Sequence, residues 1–135
     1  MNERGRVLVV DDDASMRASL EAILSNDFDV DVAQGVAEAL QILASKPLDV
    51  VVTDWQMLDG TGASILAVIR QKFPGVTSLV VTGNATFPEV QELQKGGRTL
   101  VLWKPVNPPD LIAWVRNGVA ISRLQQILGT LLDSR

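Results

Sequence analysis

Five short runs of β-branched and other apolar residues recur along the chain: Arg6–Val10, Phe28–Ala33, Asp49–Thr53, Ser78–Thr82 and Thr99–Trp103, each of strand length. Between them the apolar period changes. Met16, Leu20, Ile23 and Leu24 fall at i, i+4, i+7 and i+8, and Val36, Ala39, Leu40 and Leu43 fall at i, i+3, i+4 and i+7, so each segment builds one apolar helix face. Ile65, Leu66, Ile69 and Phe73 repeat the pattern in a third helix, which FPG at 73–75 should stop. Thr86 and Glu89 form a capping box for a shorter fourth helix ended by Gly96-Gly97. A fifth helix is expected to start within NPPD, Asn107 to Asp110, because proline suits a first turn and aspartate complements the helix dipole.

Strict alternation of strand and helix implies parallel strands joined by helical crossovers, and a run such as VVV at 50–52 suits a strand covered on both faces. The expected class is α/β, a three-layer doubly wound sandwich. In open sheets of this kind ligands bind outside the carboxyl ends of the strands, so function is to be sought where the strands stop.

Composition narrows the chemistry. The chain has 135 residues, 47% of them hydrophobic, which is the size and make-up of one globular domain. No apolar run approaches the roughly 20 residues of a membrane span or forms a signal peptide, so a cytoplasmic location without membrane contact is expected. The absence of cysteine and histidine removes disulfides, thiolate or imidazole metal ligands, cysteine nucleophiles and histidine acid–base catalysis. A net charge of −4 without a basic cluster argues against direct nucleic-acid binding. Whatever chemistry occurs must use carboxylates, hydroxyls, lysine and arginine.

Those groups stand at the strand ends: Asp11, Asp12 and Asp13 after the first run, Asp54 after the third, Thr82 at the end of the fourth and Lys104 after the fifth. Carboxylates gathered on one edge repel, by on the order of 4 kcal/mol for a pair at about 4 Å and an effective dielectric near 20, so a cation is expected among them. Oxygen-only ligands suit a hard ion such as Mg2+, which shares its open positions with water and phosphate. Lysine and threonine supply a positive charge and a hydroxyl donor for phosphoryl oxygens. Asp54 then reads as a nucleophile forming an aspartyl phosphate.

Taken in order, VLVVDDD, VVTDWQM, LVVTG and LWKP resemble the receiver domain of two-component response regulators over about residues 5 to 117. GVAEAL at 35–40 resembles the family's second-helix signature. The resemblance implies a flavodoxin-like parallel sheet of order 2-1-3-4-5; chemotaxis receivers are a standard example of this fold. It also implies that Asp54 accepts a phosphoryl group from a histidine kinase or phosphotransfer protein. Mg2+ would be held by Asp12, Asp54 and the backbone carbonyl of Gln56, with Asp11 acting through water. Lys104 would pair with the phosphoryl group and Thr82 would move toward it, signalling to a downstream protein or output domain through the face of the fourth helix, fifth strand and fifth helix. Such a switch catalyses only its own phosphorylation and dephosphorylation. Leu58, Val101 and Val106 stand where the family usually has proline, an aromatic and an aromatic, while Gln56 and Asn84 occupy positions that in the family border the path of the attacking water.

Two other readings are open to the same residues. A haloacid-dehalogenase-like phosphatase would use Asp11 and Asp13, with Thr82 and Lys104 in its later motifs, but it needs an acidic pair after the lysine where only Asp110 and Asp133 remain. A flavodoxin-like cofactor carrier would want Ser, Thr and Gly after the first strand, where this chain has aspartates. Outside the acid group, Asp13 suits the start of the first helix, and Asp59 with Gly60 suits a turn. Residues 118–135 form a C-terminal helical tail in which Trp114, Asn117, Ile121, Leu124, Leu128 and Leu131 keep 3-4 spacing. The tail is expected to fold back on the domain, to lead as a linker into an output module, or to pair as a partner-binding or homodimer helix.

Overall fold

The computed structural model describes residues 4–83, 88, 91–92 and 99–133. In chain order these form β1 (Arg6–Val10), α1 (Ala14–Leu24), β2 (Asp29–Ala33), α2 (Val36–Ser45), β3 (Val50–Asp54), β4 (Gln56–Met57), β5 (Gly60–Thr61), α3 (Gly62–Lys72), β6 (Thr77–Thr82), β7 (Thr99–Trp103) and a C-terminal helix (Pro108–Asp133). The long strands pair in parallel in the order β2-β1-β3-β6-β7, which is the 2-1-3-4-5 order once the two-residue strands β4 and β5 are set apart as their own antiparallel hairpin. The capping box at Thr86 and Glu89, Asn84 and the Gly96-Gly97 stop lie outside the described residues; Pro88 and Gln91–Glu92 between them are helical.

Alternation along the strands builds two cores. Val7, Val9, Val50, Val52, Leu79 and Val81 point to one face, against Leu20 and Leu24 of α1 and Leu111 and Val115 of the C-terminal helix. Leu8, Val10 and Val51 point to the other, against Ala39 and Leu43 of α2 and Ile65 and Ile69 of α3. Both faces of β1 and β3 are therefore covered, as their uninterrupted valine-rich runs require.

The register fixes the functional edge. Val10 pairs with both Ala33 and Thr53, so Asp11, just past β1, and Asp54, the last residue of β3, stand side by side. Thr82 pairs with Trp103, and the Lys104 N–H extends that ladder by donating to the Thr82 carbonyl at 2.8 Å, which brings Lys104 to the same edge.

The C-terminal helix crosses position 117/118 without a break and is bonded to the opposite edge of the sheet. Gly118 is the point of closest approach: a Cβ there would come within 3.0 Å of Val50 Cγ2, and the Thr77 hydroxyl donates to the Gly118 carbonyl at 3.1 Å. The glycine that weakens an isolated helix is thus what lets this one lie on β3 and β6. Beyond it Ser122 donates to the Gly75 carbonyl, Arg123 to the Arg4 carbonyl and Asp49, and Gln126 to Asp49. Among the described residues no helix is long and apolar enough to cross a membrane.

Candidate functional site

Three carboxylates meet where β1 and β3 end. Asp11, Asp12 and Asp54 each offer an oxygen within 4.8 Å of the others, and Asp11 is buried. Each is held by one backbone donor: Asp11 Oδ1 by the Asp13 N–H at 2.9 Å, Asp54 Oδ1 by the Trp55 N–H at 2.7 Å, and Asp12 Oδ2 by the Leu58 N–H at 2.8 Å. Lys104 supplies the facing positive charge, with Nζ 3.5 Å from Asp54 Oδ2 and 4.0 Å from Asp11 Oδ2. Arg17 turns inward as well, donating to the Asp11 carbonyl at 2.7 Å.

Burial is the main force on Asp11. It raises the carboxyl above its ordinary value; the Asp13 N–H opposes this, the negative charge of Asp54 adds to it, Lys104 opposes it and Asp12 adds to it. A cation would relieve a buried acid beside two others, and an all-oxygen donor set fits a hard divalent ion. The acidic pocket can therefore bind a metal, and the carboxylate beside the lysine can act as a nucleophile toward phosphorus.

Asp11, Asp12, Asp54 and Lys104 come together as four members of one site. Thr82 is buried at the end of β6, joined to Lys104 through the backbone. Gln56 lies on the exposed outer rim, two residues beyond Asp54, where β4 pairs with Thr61 of β5. Asp13 does not join the acids: it is the N-cap of α1, its carboxylate accepting from the Met16 N–H at 3.0 Å.

Two contacts were not legible in the sequence. Asp59, expected only to turn the chain, sits between β4 and β5 and accepts from the Val36 and Ala37 N–H groups at 2.9 and 3.1 Å, capping α2 from 22 to 23 residues away. The N-terminus of α2 needs this because its own N-cap position is Gly35, which has no side chain to offer. The turn that delivers it depends on Gly60, whose φ of +148° is open to glycine and rarely to other residues. The second contact is the Leu58–Asp12 bond. Leu58 stands where the resembled family has proline, and only a residue with an N–H can make that bond. Loop contacts across such separations leave no periodic trace.

The Val36 and Ala37 N–H groups, in that order, hold the Asp59 carboxyl below its ordinary value. A lowered acid stabilises the fold above its unfolded-state pKa and loses that contribution as pH falls through the folded value. Asp59→Ala should therefore lower the melting temperature at neutral pH, and the gap from wild type should close in strong acid. Melting curves across that pH range check it; a gap of constant size would reject the cap.

Comparison with known proteins yields one family. Its sequence model, described as the response regulator receiver domain, matches residues 7–116. A putative response regulator NtrX-like protein of Rickettsia bellii is 31% identical over 123 residues, covering 89% of this chain and 26% of that protein. The chain thus spans about a quarter of the length of the curated relatives it matches. Among solved structures, a chain described as adenylate cyclase from Rhodopirellula baltica superposes with a TM-score of 0.89 at 30% identity, covering 98% of this chain and 99% of that one. A response regulator receiver domain protein from Clostridium thermocellum gives 0.82 at 27% identity, over 90% and 98%. The phosphatase alternative finds no support: Asp13, one of its two working acids, is spent on capping α1, and the family model that matches is the receiver's.

Proposed function

The chain belongs to the response regulator receiver family, the switch module of phosphorelays, and on that premise we propose that Asp54 accepts a phosphoryl group from a histidine kinase or phosphotransfer protein. The observation that carries this reading is the position of the Asp54 carboxylate between the Lys104 ammonium and the Asp11–Asp12 pair. An Asp54 oxygen attacks the phosphorus of a phosphohistidine; the new P–O bond forms as the P–N bond breaks, and the released electron pair stays on the imidazole. Lys104 neutralises charge on the phosphoryl oxygens and the Thr82 hydroxyl donates to one of them. Mg2+, when bound, would offset the acids and polarise the phosphoryl group; Asp12, Asp54 and the Gln56 carbonyl are its proposed ligands, with Asp11 acting through water. Hydrolysis by water returns Asp54 to a carboxylate and releases phosphate, so the chain acts catalytically only on itself. Incubation with acetyl phosphate and Mg2+, read by intact mass, tests this: one added phosphoryl group is expected, and none would overturn it.

Phosphorylation is proposed to draw Thr82 toward Asp54 and, through the Lys104–Thr82 backbone bond, to reshape the surface around β7 and the C-terminal helix, which an output domain or downstream protein reads. The same helix is proposed to pair with a second copy. On a heptad with Trp114, Ile121 and Leu128 at a, and Asn117, Leu124 and Leu131 at d, the side toward the domain carries Val115, Ser122 and Gln126, all engaged there. The a and d stripe is left outward, the exposures of its apolar members running from 41% at Trp114 to 60% at Leu131. The exposed positions flanking it, Ala113, Ala120 and Ile127 on one side and Gln125 and Leu132 on the other, carry no charge, while Gly118 lies against the domain. Self-pairing therefore meets no like-charge repulsion along the seam. Sedimentation should give a dimer mass for the full chain and a monomer for Leu124→Glu/Leu128→Glu, which alters only exposed positions; equal masses would reject pairing.

A further inference from the structure

Of the three backbone donors that hold the acid cluster, two are local. Asp13 lies two residues from Asp11, and Trp55 follows Asp54 directly, so those bonds come with the turn of the chain at each strand end. The third crosses 46 residues, from the Leu58 N–H to Asp12 Oδ2. It ties the segment after β3, which carries Gln56, to the segment after β1, which carries Asp12. The leucine side chain takes no part, being 95% exposed. What position 58 contributes to the cluster is its N–H.

We propose that the Leu58 backbone N–H is a positioning donor for the metal site: it fixes one oxygen of Asp12, leaves the other for the cation, and draws the β3–β4 segment onto the acids before the ion arrives. The inference rests on the metal-binding reading above and adds to it a group outside the ligand set. A carboxylate that ligates with one oxygen and accepts a hydrogen bond on the other is the arrangement in which outer partners tune metal sites, and losing such a partner typically lowers affinity about 10- to 100-fold. The donor also holds part of the negative charge of Asp12 in the metal-free protein, where the Lys104 ion pairs go to Asp54 and Asp11.

The test is Mg2+ titration by calorimetry on the full chain, with three versions of position 58. Leu58→Pro deletes the N–H and should weaken binding by about tenfold or more, whereas Leu58→Ala keeps the donor and should restore wild-type affinity to within about twofold. Because proline also restrains the backbone, an amide-to-ester replacement at Leu58, which removes the N–H and leaves the side chain, should reproduce the loss. Equal affinity in wild type and the ester variant would overturn the inference while leaving the metal site standing, as would a melting-temperature change with no change in affinity. A loss in Leu58→Ala as large as in the ester would overturn it too, by assigning the effect to the side chain. Absence of Mg2+ binding in the wild type would instead bring down the metal reading on which the inference rests.

Discussion

Asp54→Asn should abolish the gain of a phosphoryl group from acetyl phosphate and Mg2+, to below the limit of intact-mass detection. The substitution keeps size and shape, and the amide oxygen can still accept from the Trp55 N–H, so the end of β3 should keep its geometry. What disappears is the anionic oxygen that attacks phosphorus, and an amide is no substitute for it. The same change removes one of three negative charges lying within 4.8 Å of one another. Each pair at that separation repels by roughly 3–4 kcal/mol at an effective dielectric near 20 before Lys104 offsets it. The metal-free variant should accordingly melt no lower than wild type. Loss of phosphoryl uptake with unimpaired folding identifies the acceptor; undiminished uptake by Asp54→Asn would move it elsewhere.

The architecture was legible because its main determinants are periodic. Valine-rich runs separated by amphipathic segments admit few arrangements other than a covered parallel sheet, and polar residues at the ends of such runs fall on one edge whatever the details between. Strand limits differ from expectation by one residue where a polar residue borders the run: Asp49 precedes β3 and binds the Arg6 N–H and the C-terminal helix, while Asp54 still belongs to the strand. What could not be read are the contacts made by the short hairpin of β4 and β5. Its strands are two residues long, too short for any period, and it delivers Asp59 to α2 and Leu58 to Asp12. Nor does spacing alone say which side of a helix its own domain takes. The C-terminal helix carries a seam and a docking side together, and only the packing of Gly118, Ser122 and Gln126 separates them.

Asp12→Ala should eliminate Mg2+ binding and Mg2+-dependent phosphorylation, whereas Asp13→Ala, one position on, should keep both. The contrast follows from where each carboxylate goes. Asp12 belongs to the acid cluster, and Asp13 spends its side chain on the Met16 N–H, contributing to the cluster only a backbone donor that alanine retains. Asp13→Ala should cost about 1 kcal/mol of stability through loss of the helix cap. In metal-free protein Asp12→Ala has two opposed effects, relief of Asp11 and loss of the bond from the Leu58 N–H. The Asp11 carboxyl is raised above its ordinary value of 3.8, first by burial and with a contribution from Asp12. A raised acid adds stability that is fully present below its unfolded-state pKa and is lost as pH rises through the folded value, so metal-free wild type gives up stability on leaving the acid range. Without Asp12 that loss is smaller. Thermal melts with and without Mg2+ at neutral pH should then separate the two variants: Asp12→Ala unresponsive to the ion, Asp13→Ala less stable than wild type in chelator yet stabilised by Mg2+ as wild type is. An Asp12→Ala protein that still gains stability from Mg2+ would place the cation elsewhere than among these three acids.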